Sequence, residues 1–326
     1  MSLEELYRGY GVRIHTDDID PVKTIGGIQS YNVRDNVQVD RENTGGDIFP
    51  SITTIQSHEE SYEMTSLNVD DVLDTVGTTG VCLKSNNSKT GFEFFLTALD
   101  QCQPGISSSN NNIQIQSRSS SDDVENYGLI WPGNLSIPHS GNATMSFNCT
   151  PKANGGNAAI MVNPGVVLPA IPDTNRRFGM GPVIVAGTQF IGKQSVDINF
   201  GVSILTESTD GNVFPDWVAI EKVLAVITIR GISPQWASAN GIPRGGKKFA
   251  HANTTVYCRQ KDTNQLSGFA AEGENKHIKI TASGKAFMTD IATGNASSPT
   301  QSAFMMYVEK DGANAPLIAN TLQPIT

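Results

Sequence analysis

Apolar and polar residues alternate with a period of two along much of this chain, and one such pattern recurs half a chain length further on. Tyr31 and Val33 alternate with Ser30, Asn32 and Arg34, while Val196, Ile198 and Phe200 alternate with Ser195, Asp197 and Asn199. This period predicts strands with a single apolar face. A second strand is expected at Val37 and Val39, matched by Val202 and Ile204. It ends at the turns ENTGGD (42–47) and ESTDGN (207–212), whose Asn, Asp and Gly residues tolerate positive φ and mark hairpin tips. Past the first tip, EESYEMTS (59–66) sets Glu60, Tyr62 and Met64 against Glu59, Ser61, Glu63 and Thr65, and LAVITIRG (224–231) holds Ala225, Ile227 and Ile229 in the matching places. NVDDVLDTVG (68–77) predicts one short helix with Asn68 as N-cap, acids in the first turn and Gly77 as its stop. SPQWASANG (233–241) fills the same slot in the second half. GFEFFLTAL, NTTVYCRQ, HIKITASGKAFM and SAFMMYVEK predict further strands, whereas ISSSNNNIQIQSRSSSDD (106–123) reads as an irregular, low-complexity surface loop.

The recurrence is close enough to imply duplication. At an offset of 165, nine of the 27 positions between Gln29 and Ile55 are identical: Gln29, Ser30, Val37, Glu42, Thr44, Gly46, Phe49, Pro50 and Ile55 return as Gln194, Ser195, Val202, Glu207, Thr209, Gly211, Phe214, Pro215 and Ile220. Composition alone gives about two. The expected organisation is a first domain over residues 1–172, a Pro/Gly-bearing linker over 173–182 and a second domain over 183–326. Each is a mainly β, antiparallel sandwich with a short helix.

Chemistry adds little to this picture. The 326 residues carry a net charge of −9, of which residues 1–172 hold −11 and residues 173–326 hold +2. The first residues lack the basic start and apolar run of a signal peptide, and no apolar stretch is long enough to span a membrane, so synthesis in the cytoplasm without membrane insertion is the expectation. Cys82, Cys102, Cys149 and Cys258 are far apart and read as buried free thiols. The five histidines form neither HExxH nor a close carboxylate pair, and GIPRGGKK (241–248) has Lys248 where a phosphate loop needs Ser or Thr. Six Asn-X-Ser/Thr matches, at Asn86, Asn134, Asn142, Asn148, Asn253 and Asn295, are close to the chance number of about five for this composition. With no GxSxG elbow either, the sequence implies neither an enzyme nor a cofactor or metal.

The order of two apolar strands, a tip of the form TGGDIFP or TDGNVFP, an alternating strand and a short helix ending in Gly resembles the tail tube, or major tail, proteins of long-tailed bacteriophages. VDINFGVSILTESTDGNVFPDWVAIEKVLAVITIRG (196–231) carries that likeness most clearly, and its echo covers about 50 residues of the first half. The resemblance implies tandem tube-like sandwich domains. Six such domains close a ring around a continuous inner β-barrel, so that three duplicated chains suffice. Stacked rings then form the conduit for DNA ejection. It implies a virion tail location, self-association, a tape measure protein and tail end proteins as partners, and double-stranded DNA that passes without specific binding. Polar strand faces make Asp40, Glu42, Glu59, Glu63 and Glu207 the candidates to line the bore. The tips Asn43, Thr44, Gly45, Gly46, Asp47 and Ser208, Thr209, Asp210, Gly211, Asn212 are the candidates for contacts between rings, together with the terminal segment MSLEELYRGYG. Another virion component (a decoration protein, tail terminator or baseplate hub), a secreted β-rich adhesin or carbohydrate-binding protein, and a hydrolase on a β scaffold are the competing readings.

Overall fold

The computed structural model describes residues 7–16, 23–43, 45, 48–85, 90–99, 112–117, 125–153, 157–171, 176–185, 187–231, 254–262, 268–282, 284–293, 301–310 and 315–326. Among these the chain is mainly β, with antiparallel sheets and one helix. In the first half the elements are β1 (Tyr7–Ile14), β2 (Lys23–Ile25), β3 (Ile28–Glu42), β4 (Ile52–Ser66), α1 (Val69–Val76), β5 (Val81–Ser85), β6 (Phe92–Ala98), β7 (Ile113–Ser117), β8 (Glu125–Pro138), β9 (Thr144–Pro151) and β10 (Ile160–Pro164). In the second they are β11 (Phe178–Val185), β12 (Thr188–Gln189), β13 (Lys193–Asn199), β14 (Val202–Glu207), β15 (Trp217–Val223), β16 (Val226–Gly231), β17 (Thr254–Gln260), β18 (His277–Ala282), β19 (Gly284–Thr293), β20 (Gln301–Val308) and β21 (Leu317–Gln323).

Two five-stranded sheets have matching orders, β10-β7-β6-β1-β2 and β21-β18-β17-β11-β12. A nine-stranded sheet runs β19-β20-β16-β13-β8-β9-β4-β3, with β5 beside β8. Its first-half part reads β3-β4-β9-β8 and its second-half part β13-β16-β20-β19. The two parts meet where β8 pairs with β13, from Ser195 opposite Pro138 to Asn199 opposite Asn134.

The core lies between the five-stranded sheets and the apolar face of the nine-stranded one. Tyr62 on β4 places its ring 4.5 Å from Phe92 on β6, and Tyr31 on β3 lies 4.9 Å from Phe94. Val196, Ile198, Ile227, Ile229, Phe304 and Met306 are buried in the same core as Val183, Val256, Ile278 and Ile280. Each buried side chain of this size contributes about 1.5–3 kcal/mol relative to exposure. Val69, Val72, Leu73 and Val76 form the buried stripe of α1. Burial pushes the Cys258 thiol up to about 12 and the Cys149 thiol well above its ordinary value, which leaves both unreactive.

Several local expectations change. Residues 28–42 form one unbroken strand, not two, because β4 pairs with β3 along its whole length, with irregularities near Ile28 and Gln38. In the second half the corresponding path breaks at Gly201 (φ 60°), where an added Cβ would strike the Leu224 carbonyl oxygen at 2.0 Å. Part of the expected irregular loop is β7, whose Ile-Gln-Ile-Gln alternation pairs with both β6 and β10. Asn68 precedes α1 but makes no side-chain cap, since its Oδ1 accepts from Arg177 Nη1 at 2.5 Å. Phe178 to Pro182, placed in the linker by sequence, begin β11, and Tyr7 to Gly11 lie inside β1, paired with β6. Of the thiols, Cys82 is exposed, and Cys102 lies outside the described residues. SPQWASANG and GIPRGGKK also lie outside them. No helix of the described residues is long and apolar enough to cross a membrane.

Candidate assembly surfaces

Strand β3 ends the nine-stranded sheet, and among the described residues its outer edge has no ladder partner. It is 15 residues long and exposed from Gln29 to Val39. Tyr31, Val33, Val37 and Val39 are 36–45% exposed, and the tip beyond them holds Ile48 at 82% and Phe49 at 70%. A long apolar edge of this kind is a template for another chain, which isolated proteins normally blunt. At the other end of the sheet β19 pairs only with β20 among the described residues.

The second-half hairpin shows what such an arm does when it has a seat. The ladder between β4 and β9 covers Tyr62–Ser66 and stops, leaving a notch at the edge of β4. There the His58 amide donates to the Val213 carbonyl at 2.9 Å, the Ala153 amide donates to the Pro215 carbonyl at 2.8 Å, and the Phe214 ring lies 4.6 Å from the His58 imidazole. Pro215 is buried, whereas its counterpart Pro50 is exposed. At the corresponding notch of the second half, Leu224 and Tyr307 are 63% and 43% exposed.

The second tip is braced by its own side chains. Thr209 donates from its amide and hydroxyl to the Asp216 carboxylate, Asn212 Nδ2 donates to it at 3.3 Å, and the Asn212 amide reaches the Thr209 carbonyl at 2.9 Å. Asp210 and Gly211 supply the positive φ values of 54° and 75° that close this turn. The Thr209 hydroxyl, first, and then Asn212 hold the Asp216 carboxyl below its ordinary range. Ser208 is exposed beside them. On the first tip Asn43 and Gly45 are exposed, and the Ser51 amide donates to the Glu42 carbonyl at 2.9 Å. Thr44, Gly46 and Asp47 lie outside the described residues.

The face of the nine-stranded sheet opposite the core is polar. Arg34, Glu59, Ser61, Glu63, Trp131 and Asn148 line a shallow concavity on it. Register places Asp197 and Thr228 on the same face, and across the β8–β13 seam the Ser136 hydroxyl donates to Asp197 at 2.7 Å. Its acids are partly offset: Arg34 donates to Glu63 at 2.5 Å, and Arg230 lies 4.0 Å from Asp197. Glu59 has no such cation among the described residues. Asp40 sits opposite Thr54 and Glu42 opposite Ile52, with the parity of Arg34 on β3. Glu207 is exposed on β14, opposite Trp217.

The sequence reading missed one cluster. Asp35 on β3 and His58 and Glu60 on β4 bring their ligand atoms within 4.8 Å of one another. Asp35 is opposite Glu60, and His58 is two residues along the same strand, so all three share the core-side face. His58 pairs with Asp35, and Glu60 Oε2 accepts from the Ile160 amide at 2.9 Å. Burial, and to a smaller degree Asp35, holds the Glu60 carboxyl above its ordinary range, while the Ile160 amide and His58 oppose the shift. No scan of sequence motifs finds this set, because register alone joins Asp35 to the H-x-E pair.

No protein-family model matches the chain, and no curated protein is significantly similar to it.

Proposed function

We propose that this chain is a structural subunit of a bacteriophage tail tube, in which three copies close each ring and stacked rings conduct DNA. The observation that carries the reading is the seam between β8 and β13. There the last strand of one four-stranded unit meets the first strand of a unit with the same strand order. Read as two tandem copies of one sandwich, the chain contains one completed junction and the two halves of another, β19 and β3. Pairing β19 of one chain with β3 of the next repeats the internal seam, and a closed ring removes both open edges of the nine-stranded sheet. Three chains then supply six units.

The arms fit the same scheme. Phe214 seats in the notch beside His58 of its own chain, and its counterpart Phe49 seats beside Val223, Leu224 and Tyr307 of the neighbour, covering apolar surface that a lone chain leaves in water. The polar face of the closed sheet turns to the bore, where hydroxyls, amides and a modest acidic excess give a polyanion little to bind. In this role the chain works without catalysis or a cofactor, sits in the virion tail, encloses a tape measure protein and meets tail end proteins at its extremities.

Negative-stain microscopy of the purified full chain tests the proposal. Hollow rings or tubes with threefold symmetry are the expected result. Compact monomers at every protein concentration and ionic strength tried would overturn it.

A further inference from the structure

We infer that Asp35, His58 and Glu60 form a binding site for one first-row divalent cation per chain, with zinc the best fit. Strands β3 and β4 supply the tripod. His58 and Glu60, at i and i+2, project from one face of β4, and Asp35 projects beside them from the paired strand, so the backbone ladder fixes all three Cβ positions. Their ligand atoms already lie within 4.8 Å of one another. A tetrahedral ion with bonds of about 2 Å needs them roughly 3.3 Å apart, a change within reach of side-chain torsions. One imidazole nitrogen and two carboxylate oxygens suit zinc, cobalt or manganese, whereas calcium and magnesium favour all-oxygen shells. The set leaves a fourth position for water.

The surroundings favour a cation over an empty cluster. His58 is only 17% exposed and lies against Phe214, and the Glu60 carboxylate is half-buried at the edge of the core. Among the described residues no lysine or arginine forms an ion pair with Asp35 or Glu60, and the basic side chain that faces the two acids is His58. Arg34, next in sequence, belongs to the opposite face and pairs with Glu63. Bound metal holds the His58 ring on which Phe214 rests, and so fastens the second-half hairpin to the first-half sheet. At an offset of 165 the second half carries Phe200, Val223 and Ala225 in the three places, which cannot ligate. The site therefore occurs once per chain.

The test uses the full chain, stripped with a chelator and dialysed, and titrated with zinc by calorimetry and with cobalt by visible absorption. The expected result is one ion per chain with a dissociation constant of about 10 μM or tighter, and cobalt bands characteristic of nitrogen and oxygen ligation. His58→Gln and Asp35→Asn should each weaken binding by at least about tenfold, while Glu59→Gln, on the opposite face, leaves it unchanged. Circular dichroism of each variant separates lost binding from lost folding, and Glu60→Gln provides a further variant should either of the first two fail to fold. No binding by the intact chain, or binding that survives in the folded ligand variants, would overturn the inference.

Discussion

The ring of Phe214 rests 4.6 Å from the imidazole of His58, which joins the tip of the second hairpin to the strand of the first. Phe49, its counterpart at the offset of 165, is 70% exposed and has no such seat among the described residues. Truncating the two rings should therefore give opposite phenotypes. Phe214→Ala loses an aromatic contact and lowers the stability of the isolated chain by about 1–3 kcal/mol. Phe49→Ala leaves that stability within about 0.5 kcal/mol and weakens assembly instead. Thermal unfolding and analytical ultracentrifugation read the two effects separately. Equal losses of chain stability would show that the tips are not related as proposed.

Blocking the free edge should stop assembly without unfolding the chain. Val33 and Val37 are exposed on β3, so replacing both with lysine adds charge to an edge that, in a lone chain, faces water. We expect an unchanged melting temperature and no rings by microscopy. Normal tubes from this variant would exclude β3 as a junction strand.

On the polar face, replacing Glu59 and Glu63 with lysine reverses the local charge and releases Arg34 from its partner. Both changes attract phosphate, and the attraction weakens with salt. Tubes should still assemble, while DNA delivery from complemented particles slows or fails. Unaltered delivery would remove these side chains from the bore.

Asp70 makes folding depend on pH. Its side chain is buried 3.2 Å from Arg176, and burial first, then Asp71, raises its carboxyl from 3.8 to about 6 against the opposing pull of Arg176. A raised carboxyl favours the protonated form in the folded chain. The stabilisation is thus fully present below pH 3.8 and lost as pH rises through about 6. Asp70→Asn removes this loss. Above pH 7 its melting temperature should exceed that of the parent, by at most about 3 kcal/mol in equivalent stability, and the gap should close toward pH 4. A gap that is constant with pH would assign the shift elsewhere.

Much of the fold was legible in the sequence, and the reason is that its signals are local. The alternation at Tyr31 and Val33, or Val196 and Ile198, depends only on which face of a strand is buried. The hairpin turn of residues 207–212 depends only on residues that accept positive φ, as Asp210 and Gly211 do. The helix Val69–Val76 was marked by Asp70 and Asp71 in its first turn and by its terminal Gly77. Where tertiary partners decide, sequence reading failed. Ile113–Ser117 became a strand because β6 and β10 lie on either side of it, and the Asn68 side chain was diverted from capping by Arg177, more than a hundred residues away. The same holds for the sites. Acidic candidates such as Glu59 and Glu63 could be assigned to a face by parity, but the pairing of Glu63 with Arg34 comes from the register between β3 and β4. That register alone brings Asp35 to His58 and Glu60, and the docking of the second hairpin sets the Phe214 ring against His58. Periodicity follows from the geometry of one strand, whereas register and docking are set by the summed packing of elements distant in the chain, and only the tertiary structure decides them.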